Sequence, residues 1–170
     1  MTTDAPAQTA TEFVISRHFA ASRNRLWEAW TDPSQMAQWL GPKGTTGTTL
    51  AADVRPGGLL HWRMDGAEGS MWGRAVYREV IAPARLVYVQ SFSDDAGAIT
   101  RAPFFDGRWP LEMLTVVTFE PDADGTRVTL TWRPLDAAAD ELANFVSNIP
   151  SMHGGWGNSF DQLAALIDQD

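Results

Sequence analysis

The stretch that decides the fold is MHGGWGNSFDQLAALI, residues 152–167. Its apolar side chains follow one another at steps of four, four, three and four residues, at Met152, Trp156, Phe160, Leu163 and Ile167. This spacing puts them on a single stripe of an α-helix and leaves the polar residues off that stripe. The sequence therefore predicts a long C-terminal helix that buries one face against the rest of the chain.

Upstream of this helix, residues 45–133 have the pattern of antiparallel strands joined by turns. Glycine, proline and aspartate, the residues that favour turns, cluster at 56–58, 66–69, 82–85 and 122–125. Between the turns, apolar and polar side chains alternate, so that Val128, Leu130 and Trp132 share one face of a strand. Such alternation is typical of an antiparallel sheet with one covered face.

The N-terminal part supplies one more strand and two short helices. EFVISRHF at 12–19 alternates and predicts the first strand. Ser22 is the expected N-cap of the first helix, and Asp32, followed by Pro33, is the expected N-cap of the second. With a further helix expected over 137–148, the element order predicts an α+β fold. In it, a curved antiparallel sheet of about six or seven strands wraps around the C-terminal helix.

Size and composition suit one globular domain and restrict its partners. The chain has 170 residues, and we expect a flexible tail at 1–11 and a single domain over 12–170. A net charge of −8 disfavours nucleic acid and anionic membranes as partners. The absence of cysteine excludes disulfides and thiol chemistry. Because no secretory signal or membrane span is visible, we expect a cytoplasmic protein.

Five segments resemble a known family, and they lie at 16–42, 53–64, 77–88, 109–132 and 152–167. They are similar to the SRPBCC (START-like, helix-grip) superfamily. Within it they are closest to the branch named after the activator of the heat-shock-protein-ninety ATPase, often labelled polyketide-cyclase-like in bacteria. This resemblance implies a helix-grip fold with an apolar cavity between the sheet and the C-terminal helix.

The favoured function is the binding of a small apolar, aromatic or lipid-like molecule in that cavity, with no cofactor. Eight Trp and eight Phe are many for this length, and apolar cavities are the usual form of small-molecule sites. The residues predicted to line the cavity are Trp62, Met64, Trp72, Tyr88, Phe92, Trp109, Met113, Trp132, Phe145, Met152, Trp156 and Phe160. The long connection at 93–110 is expected to cover the cavity mouth. Glycines 154, 155 and 157 are expected to allow a strand or ligand to approach closely, or to ease packing of the helix on the sheet.

Two other functions stay open. A cyclase or aromatase-type enzyme would use the same cavity, with His153 or Arg17 polarising a carbonyl, although a structural role is the simpler interpretation of both residues. A chaperone-interacting module is the other alternative. The eukaryotic co-chaperone of this family has an additional N-terminal domain, whereas about eleven residues precede the first strand here.

Metal binding is not expected, and dimerisation is left open. The three histidines are far apart in sequence, and strand alternation predicts that His18 and His61 face solvent. A homodimer could form through exposed strands.

Overall fold

The computed structural model describes residues 11–41 and 43–169, and it has the predicted α+β architecture. In this part of the chain, seven strands form one antiparallel sheet in the order β1-β7-β6-β5-β4-β3-β2. The strands are β1 (Phe13–Phe19), β2 (Thr46–Ala52), β3 (Leu59–Gly66), β4 (Gly69–Ile81), β5 (Arg85–Ser93), β6 (Glu112–Asp122) and β7 (Gly125–Leu135). The helices are α1 (Arg23–Thr31), α2 (Pro33–Trp39), α3 (Ala139–Ser147) and α4 (Ile149–Ile167). Apart from Thr11, the predicted N-terminal tail lies outside the described residues.

The two short helices after β1 begin at the predicted caps. The Ser22 hydroxyl accepts a hydrogen bond from the backbone N–H of Arg25 at 3.2 Å. The Asp32 carboxylate accepts from the N–H of Ser34 at 2.9 Å, with Pro33 as the first helical residue. Hydrogen bonds from Ser34 also hold the pKa of Asp32 below its usual range. Each cap satisfies a backbone donor that the first helical turn leaves unpaired.

The apolar stripe of α4 faces the inner side of the sheet, as the spacing predicts. Phe160 and Leu163 are completely buried, and less than a tenth of the surface of Met152 and of Ile167 is exposed to solvent. In the same helical layer, Trp30 of α1 contacts Phe160 edge-on, with ring centroids 6.1 Å apart. The core is therefore a layer of α1, α2 and α4 against one face of the sheet.

The sheet joins the two ends of the chain. The first strand pairs with the last along its whole length, from Phe13 opposite Trp132 to Phe19 opposite Thr126. Both β1 and β2 are edge strands, so the sheet stays open rather than closing into a barrel. The inner face thus forms a curved surface across which α4 lies.

The expectation that His61 faces solvent is wrong. Strand alternation places it correctly on the face opposite Trp62, yet only 7% of its surface is exposed. The segment after β5 folds back over that outer face, and His61 Nε2 lies 3.2 Å from the carbonyl oxygen of Asp94. Arg74 fixes the same segment by donating to the Gly97 carbonyl at 2.8 Å. His18, in contrast, is part-exposed, with its Nδ1 3.1 Å from the Asp122 carboxylate.

Candidate functional site

An apolar cavity of about 370 Å³ lies between the inner face of the sheet and α4. Strands β2 to β7 all contribute lining residues, and so do α2, α4 and the segment that precedes β6. A volume of this size falls within the range of small-molecule sites, about 300–1,000 Å³. The cavity is the part of the space between the sheet and α4 that side chains leave unfilled.

The predicted aromatic and methionine residues surround this cavity with two exceptions. Ten of the twelve line it, namely Trp62, Met64, Trp72, Tyr88, Phe92, Trp109, Met113, Trp132, Met152 and Trp156. Phe145 and Phe160 do not, because both are completely buried behind lining rings. Phe145 packs against Trp109 at 5.7 Å between ring centroids, and Phe160 packs against Trp156 at 5.9 Å.

One wall of the cavity depends on a glycine. Trp62 on β3 lies directly opposite Gly73 on β4. A Cβ atom at position 73 would overlap the Trp62 indole, so the indole rests on bare backbone. Glycine inside a strand commonly marks such a close approach. Both residues line the cavity, so this close contact helps to shape its wall.

The segment between β5 and β6 adds aromatic rings to the cavity. Phe104 lines the cavity and is also 38% exposed, so it reaches from the interior to solvent. Its ring contacts Phe92 at 5.4 Å and Trp109 at 5.5 Å, and Phe105 stacks on Trp109. Phe105 and Asp106 both have the left-handed backbone conformation, with φ of 55° and 51°. Side chains other than glycine adopt that conformation at a cost in free energy, which the aromatic contacts offset.

The lining carries polar groups but no charged side chain. Every lining residue belongs to the described part of the chain, and none is Asp, Glu, Lys, Arg or His. Tyr88 is the one ionisable residue among them, and burial raises the pKa of its phenol to about 12. The Thr49 hydroxyl donates to the Pro33 carbonyl at 3.1 Å, and the Ser159 hydroxyl donates to Gly41 at 3.4 Å. The cavity is therefore electrically neutral at physiological pH.

Gln90 is one of several lining residues that the sequence reasoning missed, and it is the one that carries a side-chain amide. It lies opposite Ala75 on β4 and Met113 on β6, which are both on the inner face. Its side chain forms no hydrogen bond with any described residue. The signal that could have found it is the alternation of β5, in which Tyr88, Gln90 and Phe92 share one face.

The two candidate catalytic residues lie outside the cavity lining. Arg17 donates to the Asp161 carboxylate on α4 at 2.7 Å, and its guanidinium lies 5.7 Å from the centre of the Phe160 ring. His153 is exposed and packs edge-on against Phe13 at 4.8 Å between ring centroids. Both contacts join α4 to β1, so each residue has a structural role in this geometry. Within the described residues, no group of three or more His, Asp or Glu is placed to hold a metal ion.

No strand approaches the α4 glycines closely, so that part of the expectation is wrong. A Cβ atom added at Gly154, Gly155 or Gly157 would meet no other atom within 4 Å. Gly154 and Gly155 are exposed, so this side of α4 faces away from the sheet. Of the three, Gly155 lines the cavity.

Comparisons with known proteins agree with the geometry. The sequence profile of the family described as Activator of Hsp90 ATPase homolog 1-like protein matches residues 20–168. The chain belongs to this family. The match spans most of the chain, from the end of β1 to the end of α4, and it confirms the resemblance given by the five segments. None of the curated proteins matches the chain.

Solved structures of several bacterial proteins share this fold over nearly the full chain. Protein Ms6760 from Mycobacterium smegmatis is 26% identical, with a TM-score of 0.75 over 92% of this chain and 90% of that one. A protein from Arthrobacter aurescens is 25% identical, with a TM-score of 0.77 over 95% and 88% of the two chains. A structure from Silicibacter pomeroyi described as AHSA1 is 20% identical, and its TM-score of 0.68 over 93% and 98% shows the shared fold. In this chain, within the residues that the structure describes, no helix is long and apolar enough to cross a membrane.

Proposed function

We propose that this chain binds a small apolar molecule, preferentially an aromatic one, in the cavity between the sheet and α4. The observation that carries the proposal is a neutral cavity of about 370 Å³ whose lining includes five tryptophans, two phenylalanines and a tyrosine. Apolar cavities with few polar groups are the usual form of small-molecule sites. Proteins with this family's fold commonly bind hydrophobic ligands, which supports the same conclusion.

The lining favours aromatic ligands for a geometric reason. Rings attract one another in edge-to-face or offset arrangements at about 4.5–7 Å between centroids. The lining presents both faces and edges, since the rings of Trp132 and Trp156 stand nearly perpendicular to each other. A planar ligand can therefore meet favourable contacts in more than one orientation.

The cyclase-type and chaperone-binding alternatives have no specific observation in their favour. His153 and Arg17 contact residues of β1 and α4 rather than the cavity. Although the family description refers to an Hsp90 ATPase activator, no feature of the cavity depends on a protein partner. We therefore keep small-molecule binding as the single proposal.

Two adjacent glycines provide a matched test. Gly155 lines the cavity and Gly154 does not, yet a Cβ atom at either position meets nothing within 4 Å. Gly155→Trp should fill the cavity mouth, whereas Gly154→Trp adds the same side chain outside it. Each variant is titrated with the neutral fluorescent probe N-phenyl-1-naphthylamine, whose emission rises in apolar surroundings.

We expect the wild type and Gly154→Trp to bind the probe saturably and Gly155→Trp to bind it at least tenfold more weakly. The proposal is wrong if the wild-type protein gives no saturable signal. It is also wrong if both variants bind as the wild type does, because the probe would then lie elsewhere. Near-ultraviolet circular dichroism of both variants establishes that they are folded.

A further inference from the structure

Gln90 points to the chemistry of the ligand. Resting on the proposed function, we infer that the natural ligand is an uncharged molecule of about two aromatic rings that carries a neutral hydrogen-bonding group, and that the Gln90 amide recognises this group. Three observations lead to this inference: the position of Gln90, the pairing of the inward hydroxyl groups, and the absence of charge in the lining.

The position of Gln90 brings its amide into the ligand space. Its cross-strand neighbours Ala75 and Met113 belong to the buried inner face, and residues directly opposite each other on antiparallel strands share a face. On its own strand, Tyr88 and Phe92 flank it at two-residue spacing, and both line the cavity. The amide therefore lies on the cavity floor between two aromatic rings.

The hydroxyl groups of the lining that share the inner face with Gln90 are already occupied, and the indole N–H groups of the lining tryptophans can only donate. The hydroxyls of Thr49 and Ser159 donate to backbone carbonyls, and the Tyr88 phenol interacts with the Trp30 side chain. The Trp132 indole N–H is unpaired, but it is buried away from the cavity surface. Gln90 thus offers free donors and a free acceptor. A polar group in an apolar cavity without a partner is unfavourable, and a ligand that pairs with it removes that cost.

The absence of charge selects against ionised ligands. No lining residue carries a charge, since the Tyr88 phenol is protonated at physiological pH and burial raises its pKa still further, to about 12. A carboxylate or ammonium group that entered the cavity would lose its water and gain no counter-ion, which costs more than the loss of a neutral group's hydration. Burial of a carbonyl, hydroxyl or carboxamide group costs less free energy, and a hydrogen bond to the Gln90 amide offsets that cost.

The volume sets the size of the ligand. An engineered protein cavity of about 150 Å³ holds one benzene molecule. The cavity here has about 370 Å³, which corresponds to a two-ring skeleton with a small substituent. Naphthalene and its derivatives are therefore suitable probes, because they keep the ring system constant while the polar group changes.

The test compares naphthalene, 2-naphthamide and 2-naphthoate by equilibrium dialysis against the wild type and Gln90→Leu. Gln38→Leu serves as a matched control, since Gln38 is exposed on α2 and does not line the cavity. In the wild type, we expect 2-naphthamide to bind about tenfold more tightly than naphthalene, the factor that one neutral hydrogen bond typically contributes. We expect 2-naphthoate to bind most weakly.

Gln90→Leu should remove the advantage of 2-naphthamide and leave the affinity for naphthalene unchanged or higher, whereas Gln38→Leu should change neither. Retained naphthalene binding also shows that the Leu variant is folded. If naphthalene binds but 2-naphthoate binds equally well, or the preference for the amide survives Gln90→Leu, the inference is wrong and the proposed function stands. If none of the three compounds binds the wild type, the proposed function fails and the inference fails with it.

Discussion

Gly73 and Trp62 show how a single position shapes the ligand space. Glycine in the middle of a strand costs stability, because it gains nothing from side-chain packing and loses much backbone freedom on folding. Here it leaves room for the indole of its cross-strand neighbour, which any Cβ atom would displace. The residue is thus a determinant of cavity shape rather than of the turn or bulge that glycine usually marks.

The two tyrosines of the chain give a pH prediction. Tyr77 and Tyr88 are buried cross-strand partners with ring centroids 5.7 Å apart. Burial raises the pKa of both phenols above the ordinary value of 10.0, and that of Tyr88 to about 12. Since the folded state favours the protonated phenols, their contribution to stability is full below pH 10 and is lost as the pH rises toward these raised values.

Absorbance at 295 nm, which reports phenolate, should therefore stay flat through pH 10 in the folded protein and rise only as the pH approaches 12 or the protein unfolds. The same titration in denaturant should give an ordinary tyrosine curve for both residues. A rise equal to one tyrosine near pH 10, with circular dichroism still native, would contradict the burial of these rings.

At single residues, sequence reasoning succeeded where the face of the strand on which a residue lies also decides whether it is buried. Alternation and aromatic content identified ten lining residues, because a cavity face and a core face look alike in sequence. It failed for His61, whose cover comes from residues 94–98 rather than from its own strand. It missed Gln90 because the sequence of an apolar strand does not show whether a lone polar side chain has a hydrogen-bond partner in the folded protein.

At the scale of elements, α4 combines a buried stripe with an unusual run of glycines. Gly154 lies inside the helix, and a Cβ atom there meets nothing within 4 Å. Glycine in a helix interior costs about 0.5–1 kcal/mol relative to alanine. Gly154→Ala should therefore raise the free energy of unfolding by about that amount, as measured by urea denaturation.

Gly125→Ala is the opposite control for this prediction. A Cβ atom at position 125 would overlap the backbone carbonyl of Phe19, so this variant should lose stability. If Gly154→Ala is neutral or destabilising, the first turns of α4 do not form the regular helix described for Ile149–Ile167.

Local elements could be read from the sequence, and long-range contacts could not. Helix caps at Ser22 and Asp32 depend on residues two or three positions away, so their chemistry is visible in the sequence. The pairing of Phe13 with Trp132 joins opposite ends of the chain, and no local pattern specifies it. The family resemblance, rather than periodicity, supplied the expectation of how the strands and α4 assemble.

At the scale of the whole molecule, the fold and the cavity are different kinds of property. The fold follows from alternating strands and one apolar helix stripe, each of which tolerates exchange of apolar residues. The cavity is the small difference between the space under the sheet and the volume of the side chains that point into it. That difference depends on rotamers and on the placement of residues 104–110. The family resemblance therefore implied a cavity, whereas its open space, size and neutrality come from the structure.

The tryptophans allow the central claim to be measured directly. Five of the eight, Trp62, Trp72, Trp109, Trp132 and Trp156, line the cavity, whereas Trp27, Trp30 and Trp39 do not. A titration of ¹⁵N-labelled protein with N-phenyl-1-naphthylamine, followed through the indole N–H signals, compares the two groups in one experiment. If the ligand binds between the sheet and α4, the signals of the five lining indoles shift saturably, while the other three move much less. Saturable shifts confined to Trp27, Trp30 and Trp39, or no shift at any of the eight, would contradict the account.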